Sequence, residues 1–208
     1  SGMYPCGAYV TLEHEYILIF RKGDKRDFKA GEKAQRRRSA YFWEERNQWF
    51  SDIWDFKGVR QETGDKALRK RSGAFPFELA WRLVQMYSMQ GDVVLDPFLG
   101  MGTTMAAAMA TARNAVGFEI DEALVAEVER NMEGFLLTGR ERVRQRIADH
   151  LAFIRKREGE GKAIKYRNEP HGFAVMTRQE KELEIPEPVA VERKGSGEFV
   201  VEYRRVEH

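Results

Sequence analysis

The stretch VVLDPFLGMGTTMAAAMATARNAVGFEID, residues 93–121, constrains this chain more than any other. It reads as a strand ending in Asp96, a glycine turn, a helix of small residues and a second strand ending in Glu119 and Asp121. The helix carries alanine on several sides, so it can lie close against a sheet. Strand, glycine loop and helix together are a general solution for nucleotide-like ligands. The glycines let the backbone approach the ligand, and the helix start offers free N–H groups.

Three ligand classes compete for this loop. A phosphate-binding P-loop requires Gly-Lys-Ser/Thr, but Gly102 is followed by Thr103 and Thr104 with no lysine. A dinucleotide fingerprint requires a third glycine after Gly100 and Gly102, where Met105 stands. The third class starts from Asp96. A carboxylate beside the turn is poor company for a pyrophosphate and suits a ligand with a positive charge, such as an amino-acid ammonium. Glu119, at the end of the second strand, is placed to accept from both ribose hydroxyls. Acid, Gly-x-Gly, then acid describes a pocket for S-adenosylmethionine.

The rest of the chain frames that unit. Residues 7–23 are aromatic and β-branched and read as one long strand or two short ones. Residues 21–39 are basic and read as a loop, and residues 40–56 are aromatic and helical in part. Residues 57–73 are again basic and polar. Basic runs interleaved with aromatics suit a nucleic-acid surface, and Arg36, Arg37, Arg38, Lys70 and Arg71 are the candidate phosphate contacts. FPFELAWRLVQMYSMQG, residues 75–91, reads as a helix opened by Pro76 and stopped near Gly91. Residues 122–137 and 141–158 read as two further helices. The tail contributes strand-like pieces and a KGSG hairpin turn, residues 194–197, that extends the sheet or forms an interface.

Composition excludes several classes. Apolar residues make up 42% of 208, enough for a core. The net charge of +2 is near balance, so only local patches can speak for nucleic acid. The single Cys6 excludes an internal disulfide and a multi-thiolate zinc cluster, and fits a reducing cytoplasm. No apolar run is long enough to span a membrane. Pro5-Cys6 precedes the glycine loop, the wrong order for a cysteine nucleophile of cytosine-C5 chemistry. His14 and Glu15 alternate along a strand and form no dyad. His150 and His171 read as surface residues.

On these motifs the chain resembles the amino-methylating DNA methyltransferases that act on cytosine N4 or adenine N6. It is similar to their permuted group, where the catalytic segment precedes the cofactor segment. DPFLGMGTT (96–104) resembles the cofactor motif, GFEID (117–121) the acid-bearing motif, and SGAFPFELAWRLV (72–84) the helix-opening motif that packs on the cofactor. LEHEYILIFRK (12–22) resembles the strand before the target-recognition region, and SDIWDF (51–56) the segment after it. The resemblance implies an α/β, Rossmann-like methyltransferase fold with an incomplete sheet and a small C-terminal α+β extension. Residues 1–140 would form a partial methyltransferase domain, with a target-recognition-like insert at 22–70 and a cofactor half at 72–137. Residues 141–208 would be a helix and β-hairpin extension. Phe98, Gly100, Gly102, Thr103 and Thr104 would line S-adenosylmethionine, with Asp96 nearby, Glu119 on the ribose and Phe75 against the site. Double-stranded DNA is the implied partner.

One departure matters. The family carries an Asp/Asn/Ser-Pro-Pro-Tyr/Phe motif that grips the target base, but none of the six prolines here is adjacent to another. No catalytic residue is therefore assigned within this chain. The expectation is that the motif lies in a missing N-terminal segment, and that the chain pairs with that segment, a separate subunit or a copy of itself. Two other readings stand beside this one: a subunit that binds S-adenosylmethionine or DNA without catalysis, and an RNA methyltransferase.

Overall fold

The computed structural model describes residues 14–56 and 75–206. The stretch read as a basic loop contains a helix, α1 (Ala30–Arg38). It buries none of its residues, so it leaves no apolar period in the sequence. Its formation rests on good helix formers and on its ends: Glu32 accepts the Lys29 N–H at 3.0 Å, and Arg36, Arg37 and Arg38 sit in the last turn. The aromatic stretch forms α2 (Trp43–Trp49). Two carboxylates hold its start: Glu45 accepts the Phe42 N–H at 2.8 Å and the distant Glu180 the Trp43 N–H at 2.9 Å. Residues 14–20, read as strand, carry no strand pairing and expose Tyr16, Leu18 and Phe20.

Helix α3 (Phe77–Tyr87) opens after Pro76 as the proline predicts. It ends before Gly91, because the Ser88 hydroxyl donates to the Val84 carbonyl at 2.6 Å. Gly91, at φ +82°, instead turns the chain into β1 (Val93–Asp96). Helix α4 (Thr103–Ala110) then leads to β2 (Asn114–Gly117), which pairs in parallel with β1, Leu95 opposite Val116. One face of this pair is covered, with Val94 packed against Ala80, Val84 and Ala107 of α3 and α4. The other is bare: Leu95 is 61% exposed, and Val93, Val116 and Phe118 are exposed beside it. Among the described residues this is a two-stranded parallel sheet with one open apolar face, in keeping with the incomplete sheet expected.

Helix α5 (Glu122–Arg130) begins at Asp121, whose side chain caps the Ala123 N–H at 3.0 Å. The next two expected helices are differently divided. The break falls at Asn131, and α6 (Met132–Gly159) runs for 28 residues, crossing residue 140 without interruption. Gly139 does not stop it. A Cβ there would lie 3.1 Å from the Ala110 Cβ and 3.3 Å from the Pro188 ring, so the glycine permits close packing of α6 on α4 and the C-terminal strands.

The tail forms two short strands, β3 (Tyr166–Arg167) and β4 (Ala174–Val175), a 3-10 turn (Arg178–Glu180), and the hairpin β5 (Pro186–Gly195) and β6 (Glu198–Arg205). The hairpin turns at Gly197, as KGSG predicts, but forms its own sheet and does not extend β1–β2. Its side chains complete two shared cores. Val191, Phe199 and Val201 pack on a cluster of Met109, Val128 and Phe135. Leu183, Ile185 and Val206 join Phe42, Trp49, Trp81 and Ile147 in the other.

The histidines are a correction to the sequence reading. His150 is 1% exposed and His171 is buried too. His150 lies on the inner side of α6, stacked on Phe42 with 3.8 Å between ring centroids, and bonded to Glu44 (2.6 Å) and the Ala174 carbonyl (2.9 Å). Among the described residues, no helix is long and apolar enough to cross a membrane.

Glu187 of β5 is buried between Arg144 of α6 and Arg204 of β6. Burial pushes its carboxyl up, but the two guanidiniums outweigh that and hold it below the ordinary value of 4.5. Stability from the ionised form is therefore present above that value and lost as pH falls through the lowered folded value. We expect Glu187→Gln to cost about 1–3 kcal/mol at pH 7 in urea unfolding, and the gap from wild type to narrow as pH falls through the lowered carboxyl value.

Candidate cofactor site

The site forms where β1 and β2 end. Asp96 closes β1, and its Oδ1 accepts the Phe98 N–H at 3.0 Å, which begins the turn. The Leu99 N–H then donates to the Phe118 carbonyl at 2.8 Å, so the loop crosses over the end of β2. Gly117 is needed beneath it: a Cβ there would lie 2.7 Å from both Leu99 methyls.

Glu119 ties this loop down. Its Oε2 accepts the Gly100 N–H at 2.8 Å and its Oε1 the Asp121 N–H at 2.9 Å. The sequence placed Glu119 toward a ribose and did not anticipate that it also fixes the glycine loop. A carboxylate has about four acceptor positions, so each oxygen can take a further donor.

The two loop glycines have different reasons. Gly102, at φ +81°, is the residue before α4, and it is buried. A Cβ there would meet the Phe135 ring at 3.0 Å and Val128 at 3.2 Å, so this glycine lets α4 start on top of α5 and α6. Gly100, at φ +53°, would meet only the Phe98 carbonyl, at 3.9 Å. Its open side is where another molecule can reach the backbone.

Thr103 and Thr104 form the first turn of α4 and are half-buried. Phe98 is 87% exposed at the crest of the loop. Phe75 is exposed just before α3, two residues from Phe77, which, like Leu99 and Met105, packs against the cluster of Met109, Val128 and Phe135. The structure thus brings Asp96, Phe98, Gly100, Gly102, Thr103, Thr104 and Glu119 into one loop. Phe75 stands at the start of the neighbouring helix.

The nucleic-acid candidates are not equivalent. Arg37 is 2.8 Å from Glu182 and Arg38 is 4.0 Å from Glu184, whereas the Arg36 guanidinium lies over the Phe28 ring. Lys70 and Arg71 lie outside the described residues, as does Cys6. A cavity of about 210 Å³ lies away from the loop, between α2, α3 and α6. Its walls include Glu45, Arg146, Glu78 and Arg142, charges already joined in pairs. The glycine loop is the better candidate, because Gly100 leaves its backbone approachable and the flanking carboxylates keep acceptor positions.

A parallel β-α-β unit with an acid-flanked glycine loop at its carboxyl end defines a Rossmann-like methyltransferase. The chain belongs to the DNA methylase family of N6 and N4 amino methyltransferases, whose pattern residues 2–130 match. It is 50% identical to the Type II methyltransferase M.MthZI of Methanothermobacter thermautotrophicus over 208 residues, 99% of this chain and 57% of the relative. It is also 50% identical to the Type II methyltransferase M.MjaI of Methanocaldococcus jannaschii over 132 residues, 64% of this chain and 43% of the relative. The chain thus spans about half the length of these two relatives. Among solved structures it resembles a protein of Thermus thermophilus, by its description a DNA modification methylase, complexed with S-adenosyl-L-methionine. The TM-score is 0.50 at 37% identity, over 64% of this chain and 49% of that one.

The two glycines give separable outcomes. Gly102→Ala is expected to lose about 2–4 kcal/mol in urea unfolding, from a left-handed backbone and an overpacked contact together. Gly100→Ala meets only the backbone term and is expected to lose about 1–2 kcal/mol.

Proposed function

We propose that this chain is the cofactor-binding portion of an enzyme that methylates the exocyclic amine of adenine or cytosine in double-stranded DNA, with S-adenosylmethionine as donor. The observation that carries this reading is the loop in which Glu119 holds Gly100 with its open side outward, between Asp96 and α4. The residues fit the donor. Asp96 spends one oxygen on the local turn and offers the other to the ammonium. Glu119 keeps acceptor positions for the ribose hydroxyls. Phe98 and Phe75 supply exposed rings for the adenine, and Gly102, Thr103 and Thr104 shape the start of α4 beneath it. When bound, S-adenosylmethionine supplies an electrophilic methyl group on a sulfonium. The contribution of this chain is to bind and orient that group, so that an amine reaching it is already aligned. The base would leave the duplex to arrive there.

The groups that grip the amine would come from another polypeptide segment, because this sequence holds no Pro-Pro motif. The bare apolar face of β1 and β2 supports the reading that such a segment packs here. A longer form of the same protein, a separate subunit or a second copy would each serve. Without it, the chain is expected to bind the donor and not to methylate DNA.

Calorimetric titration of S-adenosylmethionine tests the reading. Micromolar binding is expected for wild type. Glu119→Ala is expected to weaken it by about 100-fold or more, since it removes both the ribose acceptor and the loop tie. Phe98→Ala is expected to weaken it about tenfold. Absence of binding by folded wild-type chain, or equal binding by Glu119→Ala, would contradict it.

A further inference from the structure

The six cations from Arg26 to Arg38 fall into two groups. Arg26 lies 2.9 Å from both Asp92 and Glu32. Arg37 donates to Glu182 at 2.8 Å, and Arg38 reaches Glu184 at 4.0 Å while its carbonyl accepts the Glu184 N–H at 3.0 Å. These arginines are committed inside the protein. Lys29, Lys33 and Arg36 are different. They recur at intervals of four and three residues, so they form one stripe along the helix. All three are exposed, and none has an ion-pair partner among the described residues. Arg36 is also steered, its guanidinium held 4.6 Å from the centre of the Phe28 ring.

A row of three uncommitted cations spans about 10 Å at 1.5 Å per residue. The acidic residues that could neutralise the row face elsewhere: Glu32 toward Arg26, and Glu182 and Glu184 toward the two arginines at the helix end. The C-terminal segment therefore fixes one side of α1 and leaves its basic stripe outward.

We propose that the Lys29, Lys33 and Arg36 stripe of α1 rests on the sugar-phosphate backbone of double-stranded DNA, while Arg37 and Arg38 serve to hold α1 on Glu182 and Glu184. This rests on the DNA-methyltransferase reading and adds to it which face of the insert meets the duplex. The sequence offered Arg36, Arg37 and Arg38 as one phosphate-binding group, and the ion pairs divide them. Contacts of this kind position the protein and carry no base sequence, so the stripe is expected to act equally on any duplex.

The test is fluorescence anisotropy of the full chain with a labelled 30-base-pair duplex of mixed sequence, titrated across a series of potassium chloride concentrations. Each phosphate contact adds about 0.9 to the slope of log K against log salt. The triple variant Lys29→Gln, Lys33→Gln, Arg36→Gln is expected to flatten the slope by about two to three, and Lys33→Gln alone by about 0.9. Arg37→Gln with Arg38→Gln is expected to lower the urea midpoint by loosening α1, and to flatten the slope by less than Lys33→Gln alone. A triple variant with the wild-type slope overturns the proposal and leaves the methyltransferase reading intact. An equal flattening by the Arg37 and Arg38 pair also overturns it, because those arginines would then touch phosphate. Wild-type chain that binds no duplex at all overturns the proposal together with the DNA reading.

Discussion

The glycine loop keeps its shape because one carboxylate is shared between two strand ends. Glu119 follows β2, yet one of its oxygens holds the N–H of Gly100, which follows β1. Its other oxygen holds Asp121, the cap of α5. Hydrogen bonds to a charged acceptor contribute about 1.5–3 kcal/mol each, so this residue ties the loop, beside the Leu99 bond to Phe118, to the cap that starts the next helix. Leu99 then sits on Gly117, and Gly102 sits on Phe135. The acid that a donor's ribose would meet is thus also the acid that builds the loop. Under the proposed reading, binding and folding at this site would share a residue.

The C-terminal portion is woven into the same body. Tyr203 of β6 donates to the Met109 carbonyl at 2.8 Å, and burial pushes its phenol up to about 12. Glu180, fully buried, reaches back to the start of α2, and burial pushes its carboxyl up despite the N–H groups it accepts. Arg146 of α6 makes two bonds to Glu45 of α2, at 2.7 and 2.8 Å. Removing one member of such a buried pair strands the other, so these contacts resist single changes and hold α2 at one angle. Similarity to M.MthZI covers nearly the whole chain, including this portion, whereas the family match ends at residue 130. The part beyond the family pattern is the part that holds α1 and α2.

What could be read in the sequence follows from range. Strand, glycine turn and alanine helix are local signals, and β1, α4, β2 and the hairpin at Gly197 appear where those signals stand. Pro76 opened α3 for the same reason. The misreadings involve partners far away in the chain. The division of residues 122–137 and 141–158 into two helices fails at Gly139, whose tight neighbours, Ala110 and Pro188, lie about 30 and 50 residues off. His150 looked like a surface residue because Phe42, its stacking partner, is more than 100 positions earlier. Helix α1 was invisible because propensity and end charges form it, and no apolar stripe marks it. Glu119 was assigned to the site by position, but its bond to Gly100 depends on loop geometry that spacing does not encode.

Amide hydrogen exchange, followed by mass spectrometry with and without saturating S-adenosylmethionine, tests the central claim most directly. If the Glu119-held loop is the cofactor site, exchange slows across residues 98–106 and 118–121 and stays unchanged in the β5–β6 hairpin. Protection confined to the cavity between α2, α3 and α6, or no change at the loop under saturation, would contradict the account.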